Sequence, residues 1–280
     1  MSILVTGARG QVGSGLVSRL RSAGHAVRAA STRPDALSRP PGVEAVALAL
    51  DRPGAFASAL EGVRQVFLYP QPAGIRELAE AAEAAGVEHV VLLSSSSVLG
   101  PDAETDALAS HSLSVERALA ASSLTCTFLR PDAFASNSLA WARPVGRSLP
   151  VQLPYPDAHT APIHPADIAD IAFEALTGAS LRGRSVTLTG PESLTFRAQL
   201  AVLSGAVGRE IPVEHISREA AERQMSAFMP ERAAASLLDL WAAAVQGPAT
   251  IADTTETLLG RPARTYAQWA AENASAFTGS

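Results

Sequence analysis

Ile3-Leu4-Val5-Thr6-Gly7-Ala8-Arg9-Gly10-Gln11-Val12-Gly13 stands at the start of the chain. The apolar run Ile3 to Val5 stops at a glycine turn. An amphipathic run follows, in which Val12, Leu16 and Leu20 recur four apart. This pattern predicts a buried strand, a tight loop and a helix. Gly7, Gly10 and Gly13 stand three apart in the loop. The first lets the chain turn sharply, the second lets backbone approach a ligand, and the third lets the helix sit tight on the strand. Free N–H groups at the helix start, reinforced by the helix dipole, favour a pyrophosphate. A glycine-spaced turn alone is weak, but framed by strand and helix it points to nucleotide binding. Gly7, Arg9, Gly10, Gln11, Val12 and Gly13 are the expected phosphate-side residues.

Further along, apolar runs and helical patterns alternate. Strands are predicted over 26–31, 43–50, 66–69, 89–93 and 125–129, and helices over 55–60, 75–85 and 112–121. Such alternation implies a doubly wound, mostly parallel α/β sheet of the Rossmann type. Ligands of these sheets lie beyond the strand C-termini. Those ends carry the glycine loop, Thr32-Arg33, Tyr69-Pro70 and Ser94 to Ser97, so these sets should line one groove. An acidic residue after the second strand would suit NAD, and an arginine suits the extra phosphate of NADP. Here Ser31-Thr32-Arg33-Pro34 holds no carboxylate before Asp35, and Arg9 adds a second positive charge. NADP(H) is therefore expected over NAD(H), with Thr32, Arg33, Tyr69, Pro70 and Ser94 among its contacts.

From Asp132 prolines recur and the periodicity fades until Ala166. A helix then opens at Asp167, whose carboxylate suits the helix start, and a last strand is expected over 186–189. Only helical patterns follow, over 198–206, 219–229, 232–244 and 266–277. The expected division is a cofactor-binding core over 1–135, with 163–190 returning to it. A small, mainly helical substrate lobe is expected from 136–162 and 191–280.

Composition narrows the function. The 280 residues are 47% hydrophobic, enough for a sizeable core. Aromatics at 5% and a net charge of −5 argue against nucleic acid as the main partner. No apolar run approaches the roughly 20 residues of a membrane span. The first residues enter the fold at once, so no signal peptide is expected, and one cysteine fits a cytoplasmic setting. That residue, Cys126, lies in an apolar run and reads as packing. No His, Cys and carboxylate set has metal-ligand spacing, so no metal is expected. All 22 basic residues are arginine. Schiff-base, P-loop-lysine and lysine-assisted tyrosine chemistry are thereby excluded.

The glycine loop is one of several matching features. Others are Val66-Phe67-Leu68, Ala85-Gly86-Val87-Glu88-His89-Val90-Val91 with the serines after it, and Leu129-Arg130-Pro131 with Asn137. Asp167-Ile168-Ala169 and Leu259-Gly260-Arg261-Pro262 complete the set. Together they resemble the NmrA-like family of atypical short-chain dehydrogenases/reductases over nearly the whole chain. The family includes NADPH-dependent quinone, imine and phenylpropanoid reductases, and cofactor-binding redox sensors that catalyse nothing. Typical short-chain dehydrogenases carry a serine and a tyrosine four residues before a lysine. By position Ser112 stands for that tyrosine and Glu116 for that lysine, and a carboxylate there would raise a tyrosine pKa. Carbonyl–alcohol chemistry by that set is not expected, and Glu116 reads as structural, with a substrate contact as the alternative. Many members place an aspartate at the end of the third strand against adenine. Here Ala49 and Asp51 straddle that position.

Hydride transfer to an electron-poor quinone or imine needs little beyond orientation and weak proton donation. By the resemblance Ser95 matches the family's active-site serine, although the four serines also read as a strand end that caps backbone. Tyr69 could stack at the nicotinamide or simply pack. His111 is the candidate general acid. Phe134 and Asn137 fall where the family shapes its substrate pocket, and His164 could face the same groove. The favoured reading is an NADPH-dependent reductase of a small conjugated acceptor. The alternative is a non-catalytic NADP(H) sensor, and a dehydratase or isomerase on the same fold is a third.

Overall fold

The computed structural model describes residues 2–278. In chain order it begins β1 (Ser2–Val5), α1 (Gln11–Ser22), β2 (Ala26–Ser31), β3 (Glu44–Ala47), α2 (Phe56–Leu60), β4 (Val63–Leu68) and α3 (Ile75–Ala84). It continues β5 (His89–Leu93), α4 (Ala109–Ala120), β6 (Thr125–Pro131), α5 (Ala142–Gly146), β7 (Val151–Leu153), β8 (His159–Thr160), α6 (Pro165–Thr177) and β9 (Ser185–Leu188). The remainder is β10 (Leu194–Thr195), α7 (Phe196–Val207), β11 (Val213–His215), α8 (Arg218–Met225), α9 (Glu231–Ala243), α10 (Thr254–Leu259) and α11 (Tyr266–Asn273).

The first compact unit comprises Met1–Thr105, Ala109–Pro131 and Pro165–Thr187. Its seven-stranded sheet has the order β3-β2-β1-β4-β5-β6-β9, and every pairing from β3 to β6 is parallel. The order turns back at β1, which is the switch point of a doubly wound sheet. Leu4, Val66, Leu68, Val90 and Leu92 share a core with α2, α3 and α4. Alternate residues point the other way, where α1 lies beside α6. There Arg19 binds the Asp170 carboxylate and donates to the Ala166 carbonyl at 3.3 Å. Nearly unbroken apolar strands are what burial on both faces requires.

The second unit comprises Asp106–Leu108, Asp132–His164 and Leu188–Ser280. Its core gathers α7 and α11 around Tyr266, Trp269 and Phe277, all almost fully buried. The Tyr266 hydroxyl donates to Ser138 Oγ at 2.8 Å, and burial pushes its pKa up to about 12. A reciprocal cap starts α11: Thr265 Oγ accepts from the Gln268 N–H, and the Gln268 side chain accepts from the Thr265 N–H. A smaller cluster, Ala221, Met225, Ala234 and Leu238, joins α8 to α9.

Several expectations need correction. The region after Pro191 is not purely helical, because β10 pairs antiparallel with β8 and β11 pairs parallel with β7. Strands of two or three residues are too short to generate a periodicity. The irregular stretch after Asp132 contains a 3₁₀ turn (Ala135–Trp141), α5, β7 and β8. The third strand is only four residues, Glu44–Ala47. The last helix gives way at Asn273 to a 3₁₀ turn, Ala274–Phe277. Cys126 is half-buried, and burial raises its thiol pKa to about 11. No described helix is long and apolar enough to cross a membrane.

Candidate functional site

At the sheet's switch point β1 ends at Val5, and the next residue, Thr6, is buried. Its hydroxyl donates to the Phe67 carbonyl at 3.1 Å and accepts the Tyr69 N–H at 2.7 Å. One side chain therefore ties the ends of β1 and β4 and sets where Tyr69 emerges. Gly7 turns with φ +61°, a conformation costly for other residues. A Cβ on Gly7 would lie 3.2 Å from Tyr69 Cβ, so the tyrosine, 52% exposed, rests on the glycine loop. A Cβ on Gly13 would stand 2.4 Å from the Gly7 carbonyl oxygen. Glycine there lets the first turn of α1 close onto the loop, rather than only onto the strand.

Gly10 is the N-cap of α1, no side chain caps this end, and its first turn contains no acid. Its amides therefore stand open to an anion. Arg9, beside it, is exposed and has no side-chain partner among the described residues. The same is true of Arg33, which follows β2. The buried Ser31 shapes that turn by accepting the Arg33 N–H at 3.0 Å. A glycine loop that resists a Cβ at Gly7 and Gly13, an uncapped helix start and nearby exposed guanidiniums fit a dinucleotide diphosphate.

The next strand ends carry the reactive candidates. Ser95 Oγ accepts the Ser97 N–H at 3.2 Å and lies 2.9 Å from Ser97 Oγ, so it caps the 3₁₀ turn Ser96–Leu99. His111 is exposed in the first turn of α4, with Nε2 3.3 Å from the Pro70 carbonyl oxygen. It joins α4 to the Tyr69-Pro70 turn. Ser112, expected at the position of the family's tyrosine, is buried.

Glu116, expected at the family's lysine position, is buried and fully engaged. Its Oε1 accepts from Ser94 Oγ at 2.5 Å and from Arg130 Nε at 3.0 Å, and its Oε2 accepts from Arg130 Nη2 at 2.6 Å. This fork is the strong arrangement for an arginine–carboxylate pair. Ser94, whose N–H also binds the Leu129 carbonyl at 2.7 Å, thus spends its proton on Glu116. Sequence reasoning left Thr6, Ser31 and Arg130 without roles. Thr6 and Arg130 stand at strand ends, the place where a polar residue signals a function in this fold.

Within the first unit the structure brings together the glycine loop, Thr32-Arg33, Tyr69-Pro70, Ser94 and His111 at one end of the sheet. Phe134, Asn137 and His164 belong to the second unit. There Phe134 bridges to Ile163, next to His164, and His164 Nε2 lies 3.1 Å from Glu272 Oε2. Asn137 is exposed, with its N–H bonded to the Phe134 carbonyl at 2.9 Å. No group of three or more His, Cys, Asp or Glu side chains able to hold a metal occurs among the described residues.

Comparisons with known proteins agree with this geometry. The profile of the NAD(P)H-binding family matches residues 7–178. A (4-alkanoyl-5-oxo-2,5-dihydrofuran-3-yl)methyl phosphate reductase of Streptomyces griseus is 40% identical, covering 98% of this chain and 99% of that protein. An NAD(P)H azoreductase of Xenophilus azovorans is 32% identical over 98% of this chain and 99% of its own. The NADPH-dependent quinone oxidoreductase of Escherichia coli, crystallised with NADPH, superposes with a TM-score of 0.80 at 25% identity, covering 96% and 99% of the two chains. The chain belongs to the NAD(P)H-binding family, in the NmrA-like group of atypical short-chain dehydrogenases/reductases, among relatives named as reductases.

Proposed function

We propose that the protein is an NADPH-dependent reductase of a small, electron-poor conjugated acceptor. The observation that carries this reading is the pairing of an open dinucleotide cradle with a tyrosine–lysine position converted to Ser112 and a sequestered Glu116. An enzyme without that acid set suits acceptors that take a hydride readily. NADPH bound in the cradle would supply the hydride. Gly7, Gly10, Gln11, Val12 and Gly13 would hold the diphosphate through backbone N–H groups. Arg9 and Arg33 would meet the 2′-phosphate beside Thr32, which is the basis for preferring NADP(H) over NAD(H). Tyr69 and Pro70 would flank the nicotinamide, and Tyr69 would exclude water from one side of it. His111 would donate a proton to the reduced acceptor, while Ser95 would keep the serine turn in place.

The names of the relatives support an electron-poor acceptor. In the compound named for the Streptomyces griseus reductase one end of the ring double bond carries both the lactone carbonyl and the alkanoyl carbonyl, which makes the other end electron-poor, and an azo group accepts electrons similarly. Quinones, imines and unsaturated lactones form the acceptor class proposed here.

The test is a titration of the purified protein with NADPH and NADH, read by nicotinamide fluorescence, followed by an acceptor panel. NADPH should bind at least about tenfold more tightly than NADH. Arg9→Ala/Arg33→Ala should erase that preference while leaving NADH unchanged. Oxidation of NADPH should require a quinone, imine or unsaturated lactone. Binding of neither nucleotide, or binding without turnover on any of these, would overturn the proposal.

A further inference from the structure

Arg130 closes the row of strand ends that carry the cofactor cradle, on β6 next to β5 and Ser94. Its guanidinium uses Nε and Nη2 to hold Glu116, and Nη1 has no partner among the described residues. The Glu116 side chain is 5% exposed and that of Arg130 is 20% exposed. The arginine is the more accessible member of the pair. Ser94 and Glu116 fix the group without consuming that last pair of donors.

We propose that Arg130 Nη1 binds the acceptor oxygen on which negative charge grows during reduction, and that Glu116 is its positioning residue. This rests on the reductase reading. A hydride arriving at the β-carbon of a carbonyl-conjugated double bond forms a C–H bond there. The π pair moves through the α-carbon onto the carbonyl oxygen, the nicotinamide is oxidised, and the resulting enolate later takes a proton on the α-carbon. The donors of Nη1 are aimed in advance at an oxygen that becomes anionic in the transition state, which is where such stabilisation accelerates a reaction.

4-Nitrophenol, whose ionised form resembles an enolate, tests the site without turnover. Bound to the NADP⁺ complex of the wild type, it should ionise about one pH unit below its value in free solution. In Glu116→Gln/Arg130→Met, where no buried carboxylate is left unpaired, the bound phenol should ionise at or above the free value. Arg130→Lys should recover part of the shift. With reducible acceptors, the double variant should lose about a hundredfold in kcat with NADPH affinity unchanged within about threefold. A wild-type complex that fails to bind the phenol or to lower its pKa overturns the assignment. So does a folded double variant that keeps either the shift or the full kcat. A lowered phenol pKa in a protein that reduces no acceptor would uphold the Arg130 site and sink the reductase reading instead.

Discussion

Strands β5 and β6 carry a buried polar cluster at each end, and the two are built in opposite ways. At the C-terminal end Ser94, Glu116 and Arg130 bring full charges together and give the carboxylate three donors. At the other end His89 Nε2 lies 2.9 Å from Thr127 Oγ1, whose own proton goes to the Leu181 carbonyl at 2.6 Å. Nε2 must therefore carry the hydrogen, and Nδ1 is left buried with no partner. Burial first, and the positive charge of Arg182 second, lower the His89 pKa to about 4. The buried carboxylate at the C-terminal end has its counter-ion, whereas the buried imidazole at the other end stays neutral.

That contrast can be broken at three points. The largest effect should come from Arg130→Met, which strands the Glu116 carboxylate in the interior. About 3–5 kcal/mol of stability should be lost in denaturant unfolding, and Glu116→Gln added to it should restore much of the loss. Next is the acid limb of the stability curve. Unfolded His89 gains its proton near pH 6.5 and folded His89 only near 4. The stability it contributes is complete above 6.5 and is lost as pH falls from 6.5 towards 4, by about 3 kcal/mol in all. His89→Gln should flatten that window, and an unchanged acid profile would contradict the neutral, buried imidazole. The smallest effect should be Ser94→Ala, at about 1–2 kcal/mol, since Arg130 still holds both carboxylate oxygens. A larger loss would mean that the serine, rather than the arginine, anchors Glu116.

How far each feature was legible in the sequence follows from how local its cause is. The glycine loop could be read because Gly7, the open N-terminus of α1 and the strand before them lie within a dozen residues. The doubly wound sheet could be read because each strand is an apolar run closed by a turn. Glu116 could be recognised as unfit to assist a tyrosine, but not as the partner of Arg130 and Ser94. Those residues lie 14 and 22 positions away and meet only when α4 packs on the sheet. The Thr6 hydroxyl spans 63 positions to reach the Tyr69 N–H, a distance no local pattern encodes. In the second unit β10 and β11 are too short to show alternation.

The tryptophans are shared unevenly between the units. The chain has three, Trp141, Trp241 and Trp269, and all of them lie in the second unit. Indole emission is therefore an intrinsic optical label for one half of the molecule and silent for the other. Far-ultraviolet dichroism, dominated by backbone, sees both. Recorded on one sample, the two signals would distinguish a single concerted melt from stepwise loss of the units, with no probe attached to the protein.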